Sequence, residues 1–152
     1  MMPTVFGVDP ATMCGWSRVQ PGRILASGAT DLVRLGARGN AWQSATLGMG
    51  ELLTRHAGVG DAVAYEDVHH HTGIEAAQWY GSLRGALWLW CEARGVRVIP
   101  ISVQAGKRAL TGTGAASKAQ SVAAVARRFN IVCATHDEAD AIGIALAALE
   151  TQ

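Results

Sequence analysis

The chain predicts an α/β fold: a five-stranded mixed sheet, three antiparallel strands followed by two parallel ones, flanked by helices. Three observations carry that expectation. The first thirty residues hold three strand-like runs whose connections are too short for a crossover, so neighbouring strands run antiparallel. Later strand-like runs alternate with stretches of helical spacing, the pattern of parallel strands joined by right-handed crossovers. Two of the apolar runs end in an acid, Asp9 and Glu66, at the strand ends where ligands gather in sheets of this kind.

Each element follows from local chemistry. Residues 4–9 are a short apolar run stopped by Pro10, a buried strand. Residues 14–19 and 23–30 are the second and third strands, with Gln20, Pro21 and Gly22 as the turn between them. Residues 40–56 carry Ala41, Ala45, Leu47 and Leu52 at helical spacing despite two glycines. Residues 62–66 are a strand. Residues 73–94 read as a long helix with Trp79, Leu83, Leu87, Trp90 and Cys91 near one stripe. Residues 96–99 form a short buried strand stopped by Pro100, and residues 102–110 suit a short helix. A flexible Thr-Gly loop follows at 111–114. Ser117 caps a helix that runs to about Phe129, and residues 137–149 are the closing helix with Thr135 as its cap. Leaving the short helix aside, the order is β-β-β-α-β-α-β-α-α.

Length and composition narrow the class. A chain of 152 residues suits one domain, 1–152, large enough to bury a real core. With 49% apolar and 16% charged residues it is globular rather than disordered. No apolar run reaches the length of a membrane span, and Met1-Met2-Pro3-Thr4 lacks the basic start of a secretory leader, which predicts a cytoplasmic protein without a membrane partner. Cys14, Cys91 and Cys133 are widely spaced, form no CxxC pair, and read as buried reduced thiols.

Net charge is only +1, which argues weakly against a nucleic-acid partner, but its distribution is uneven. Between Arg84 and Arg128 there are eight basic residues (Arg84, Arg94, Arg97, Lys107, Arg108, Lys118, Arg127 and Arg128) and one acid, Glu92. After Arg128 there are four acids and no Lys or Arg. A basic stretch next to an acidic site suits a polyanion gripped beside a metal centre. Scattered charge on a solvated helix face would not leave the interval so poor in acids.

Asp137 and Asp140 lie three apart in the first turn of the closing helix, so they share a face, and the helix dipole favours negative charge there. Acids decorate helix starts for stability alone, but Asp9 and Glu66 at strand ends add weight to a shared site. Four such acids repel unless a proton or a cation offsets them. A pair of Mg²⁺ ions is the simplest offset and implies phosphodiester chemistry. Asp9, on the central strand, is the expected bridging ligand. Glu138, about 100° round the wheel from Asp137, is expected to face solvent.

These residues resemble a known family. Gly7-Val8-Asp9-Pro10 with Gly15 following, Ala64-Tyr65-Glu66, and Asp137-Glu138-Ala139-Asp140-Ala141 are similar to the motifs of the RuvC-type Holliday junction resolvases, within the RNase H-like superfamily. The loop Gly112-Thr113-Gly114 followed by Ser117-Lys118 resembles the stretch that precedes a helix lysine in that family. The likeness runs from Val5 to about Leu149. It implies a homodimeric, Mg²⁺-dependent endonuclease, with Mn²⁺ as a plausible substitute, that nicks opposing strands of a four-way DNA junction and leaves 5′ phosphates. It implies Asp9, Glu66, Asp137 and Asp140 as metal ligands and places Lys107 and Lys118 near the DNA backbone and the active site. One metal is then expected to activate the attacking water and the other to stabilise the departing oxygen, with Lys118 offsetting charge on the scissile phosphate. Arg84, Arg108 and His69 join Lys107 and Lys118 as expected DNA contacts. His136 could be a ligand or proton shuttle, although a His before a helix more often caps or packs.

The chain departs from the family where members often carry an aromatic residue three after the catalytic Glu, which helps open the junction. That position is His69, within His69-His70-His71, and an imidazole stacks on a base less well than Phe. Ala11 replaces a Gly. The three histidines read as an exposed loop rather than a metal tract. The segment Gly112 to Lys118 is no NTPase P-loop, because it lacks the Gly before Lys and Ala119 stands where Ser or Thr binds Mg²⁺. Trp79 and Trp90 fit a core or dimer interface before base stacking. A broader RNase H-like nuclease for branched DNA or RNA is the alternative function. An actin-like ATPase or sugar kinase needs two such domains, and a non-catalytic DNA-binding module predicts a lost carboxylate, whereas all four are present.

Overall fold

The computed structural model describes residues 2–151. Eleven elements run in the order β1 Val5–Asp9, β2 Met13–Gln20, β3 Arg23–Asp31, α1 Leu32–Gly36, α2 Ala41–His56, β4 Ala62–Glu66, α3 Ile74–Ala93, β5 Val98–Ile101, α4 Val103–Thr111, α5 Lys118–Phe129 and α6 His136–Glu150. The strands form one sheet in the order β3-β2-β1-β4-β5. β1 pairs antiparallel with β2 and β2 with β3, whereas β4 lies parallel to β1 and β5 parallel to β4. This is the sheet expected from the sequence.

The caps explain why the helices start where they do. Asn40, Ser102, Ser117 and Thr135 each accept a backbone N–H of the first helical turn, and Ser117 forms a reciprocal box with Gln120. Asn130, at φ 56°, ends α5 in the left-handed conformation that Asn tolerates.

Alternation along the strands splits the core in two. Phe6, Val8, Val63 and Tyr65 point to one side and pack with α1, α2 and α3. Val5, Ala64, Ile99 and Ile101 point to the other and pack with α4, α5 and α6. α6 is buried from Glu138 to Ala148 except at half-buried Asp140, which explains its run of Ala, Ile and Leu.

Two expectations are corrected. α1 was not foreseen: it is a single turn capped by Asp31, too short to show a period. The fifth strand does not stop at Pro100 but runs Val98–Ile101 with Pro100 inside it. Proline is tolerated there because β5 is an edge strand and Pro100 is exposed. The short helix expected at 102–110 is α4. The three cysteines are buried and free, as expected.

Candidate active site

Asp9 ends β1 and Glu66 ends β4, parallel neighbours in which Val8 lies opposite Tyr65. The same register continued by one residue brings the two acids side by side at the carboxyl edge of the sheet. Because Phe6 and Val8 serve the α2–α3 core, Asp9 projects with Val5 and Gly7 toward α6. The same count from Val63 and Tyr65 sends Glu66 to that face.

The start of α6 reaches this edge because the strands beneath it carry almost no side chain. A Cβ on Gly7 would stand 2.4 Å from the Ala141 carbonyl oxygen, and one on Gly15 only 1.8 Å from that of Asp137. Glycine at both positions allows the backbones to touch. Ser17 then donates a hydrogen bond from Oγ to the Ala141 carbonyl at 2.8 Å, in a fully buried contact. Asp137 and Asp140 are thereby carried to the strand-end acids.

Electrostatics record the meeting. Asp9 is 8% exposed. Burial lifts its carboxyl well above the ordinary range, and the hydrogen bond to Glu66 and the charges of Glu66, Asp140 and Asp137 push it the same way. Asp140 is pushed up to about 6, first by burial and then by the Glu66 charge; His136 and Lys107 oppose the rise and Asp137 adds to it. Two hydrogen-bonded carboxyl groups share a proton or need a cation in its place. Among the described residues no three His, Cys, Asp or Glu side chains stand in ion-binding geometry. The donor set is nonetheless all-oxygen and hard, with raised proton affinity at its centre, and it fits a divalent ion such as Mg²⁺ or Mn²⁺.

The surrounding residues divide by position. Lys107 on α4 lines a cavity of about 20 Å³ with Glu66 and Asp140. Lys118 is the first residue of α5 and is exposed, as is Arg108 on α4. His136 lies 3.5 Å from Asp137. In the loop after β4, His69 is exposed and pairs with Asp67 at 3.1 Å, while His71 packs against the Tyr80 ring. Arg84 on α3 is half-buried, with its guanidinium over the Trp88 ring at 4.6 Å and 3.9 Å from Asp67. Trp79 and Trp90 are half-buried against the α2–α3 core.

Glu138 corrects the sequence reading. It is 6% exposed, not solvated. One carboxylate oxygen accepts from Ser27 Oγ at 2.7 Å and the other from the Ala134 N–H at 3.0 Å. A helical wheel gives its direction but not its neighbour, and that neighbour is β3. Glu138 and Ser27 fasten the start of α6 to the sheet, with Gly7, Gly15 and Ser17 beneath. Glycines at strand positions facing a helix were the available sign of close approach.

The five-stranded sheet with acids at its carboxyl edge and a closing helix laid across it defines an RNase H-like protein. A family model described as "Crossover junction endodeoxyribonuclease RuvC" matches residues 5–148. A protein of that name from Nitratidesulfovibrio vulgaris (strain DP4) is 37% identical over 123 residues, covering 77% of this chain and 72% of that one. One from Koribacter versatilis is 38% identical over 93 residues, covering 60% of this chain and 56% of that one. Among solved structures, T. thermophilus RuvC in complex with a Holliday junction substrate superposes with a TM-score of 0.74 at 25% identity, over 99% of this chain and 95% of that one. The chain belongs to the RuvC family of crossover junction endodeoxyribonucleases. Nucleases of that family are metal-dependent.

Proposed function

We propose that this protein resolves four-way DNA junctions, as a homodimer in which each active site nicks one of two opposing strands and leaves a 5′ phosphate. The observation that carries the reading is the convergence of Asp9, Glu66, Asp137 and Asp140 on one sheet edge: the first two end neighbouring parallel strands, and Gly7 and Gly15 let the start of α6 lie against them. In this reading the four carboxylates, with Asp9 on the central strand, would hold two Mg²⁺ ions. Bound divalent ions supply Lewis-acid stabilisation and a water of lowered pKa.

The protein's own groups do the rest. Asp9 and Asp140, held by burial and by their neighbours, present ligand oxygens without reorganising. Lys107, beside Asp140 in the cavity wall, offsets negative charge where a scissile phosphate meets the acids. Lys118, exposed at the start of α5, reaches toward the scissile phosphate, and Arg108, exposed on α4, takes a flanking one. His69 is placed in an exposed loop at the same edge to stack on an unpaired base, while Arg84 contributes positive charge from α3.

A twofold enzyme suits two symmetric cuts. The α2–α3 face supports a dimer: Leu47, Leu89 and Trp88 are exposed there, beside a groove of about 420 Å³ walled by Ala86, Leu89 and Trp90. Among the described residues no helix is long and apolar enough to cross a membrane; we place the enzyme in the cytoplasm, with DNA.

The test is a substrate panel with Mg²⁺: a synthetic four-way junction against a flap, a replication fork and an RNA duplex. Paired symmetric nicks in the junction alone support the reading. Faster cutting of forks, flaps or RNA supports the broader RNase H-like alternative.

A further inference from the structure

Ser121 stands on α5 one turn after the capping Ser117 and is 1% exposed. It lines a small cavity with apolar Leu110 and Ile144. Its hydroxyl has no hydrogen-bond partner in the protein. A buried hydroxyl without a partner is disfavoured, and an alanine would pack there without that cost. The side chain opens instead on the small cavity between α4, α5 and α6, whose wall also includes Glu66, Ser102, Lys107 and Asp140. A cavity of about 20 Å³ accommodates one water molecule, and this wall supplies the two to four polar partners that such a water requires.

We infer that Ser121, through a single water in this cavity, positions the Lys107 ammonium beside Asp140. The inference rests on the nuclease reading and adds a residue to it. Lys107 needs such a contact. It shares the cavity wall with Asp140, yet a lysine ammonium rides on a flexible stem and reaches the same carboxylate from several rotamers. A water held by Ser121 accepts from the ammonium and donates to a carboxylate, which selects one of them. Ser121 touches neither substrate nor metal in this account; it is a positioning residue.

The test pairs crystallography with single-turnover kinetics on the full chain. A high-resolution structure of the wild-type protein should show one ordered water within hydrogen-bond distance of Ser121 Oγ and Lys107 Nζ. Ser121→Ala should cut a four-way junction about fivefold more slowly with junction affinity unchanged. Ser121→Thr, which keeps the hydroxyl, should recover most of the rate. A dry cavity, or a Ser121→Ala enzyme as fast as the wild type, overturns the inference. If the wild type cuts no junction, the nuclease reading fails, and the ordered water still tests the contact between Ser121 and Lys107.

Discussion

Gly15 of β2 lies directly against Asp137 of α6, so closely that a Cβ on the glycine would stand 1.8 Å from the Asp137 carbonyl oxygen. The approach sets how near Asp137 and Asp140 come to Asp9. Gly15→Ala therefore forces α6 away from the sheet. Overpacking of this kind costs about 1–3 kcal/mol. The variant should melt at a lower temperature and, where still folded, cut junctions more slowly than its stability loss explains. Thermal unfolding and single-turnover rates measured together check this; wild-type values for both would show that the approach is dispensable.

Asp9→Asn or Asp140→Asn should abolish junction cleavage while junction binding survives. Each change removes a carboxylate oxygen from the site and leaves half-buried Lys107 and exposed Arg108 and Lys118 in place. A gel shift and a cleavage assay on the same preparation separate the two effects, and wild-type-like cutting by either variant would defeat the metal-site assignment.

Stability should depend on pH and cations in a set direction. Asp140 has an ordinary value of 3.8 and about 6 in the folded chain, so the folded state binds the proton more tightly. The stability from that preference is complete below the ordinary value and is lost as the pH rises through about 6. Asp9 is shifted in the same direction. Without divalent ions, the melting temperature should carry a downward slope across that window, which Asp140→Asn makes shallower. Mg²⁺ at neutral pH should raise the wild-type midpoint and leave the variant's nearly unmoved. A wild type and variant with identical slopes would remove Asp140 from the cluster.

Lys118→Ala should slow cleavage more than it weakens binding, if Lys118 meets the scissile phosphate in the complex. Lys118 is exposed at the start of α5, whereas Lys107 lines the cavity with Glu66 and Asp140. Lys107→Ala should therefore cost more in rate than Lys118→Ala. Lost binding at a normal single-turnover rate for Lys118→Ala would make it a backbone contact only.

The strand-end acids were legible because a charge closing an apolar run has few structural uses, and the caps Ser117 and Thr135 because Ser or Thr before a periodic segment satisfies free N–H groups. What local pattern does not encode is the neighbour. Glu138 was assigned to solvent from its angle on the wheel, but β3 brings Ser27 to it, a contact across 111 residues of sequence. Pro100 was read as a stop because the edge position of β5 is a property of the sheet, not of the segment. Gly7 and Gly15 were seen as motif residues, while their physical task, letting α6 touch the strands, needs the helix in place. The unpartnered Ser121 hydroxyl likewise exists only once α4, α5 and α6 close around it.

The most direct test is anomalous diffraction from crystals of the wild-type protein soaked in Mn²⁺. Anomalous peaks bounded by Asp9, Glu66, Asp137 and Asp140, absent in Asp9→Asn crystals, are the expected result. Manganese found only elsewhere on the surface, with these four carboxylates unliganded, would contradict the account.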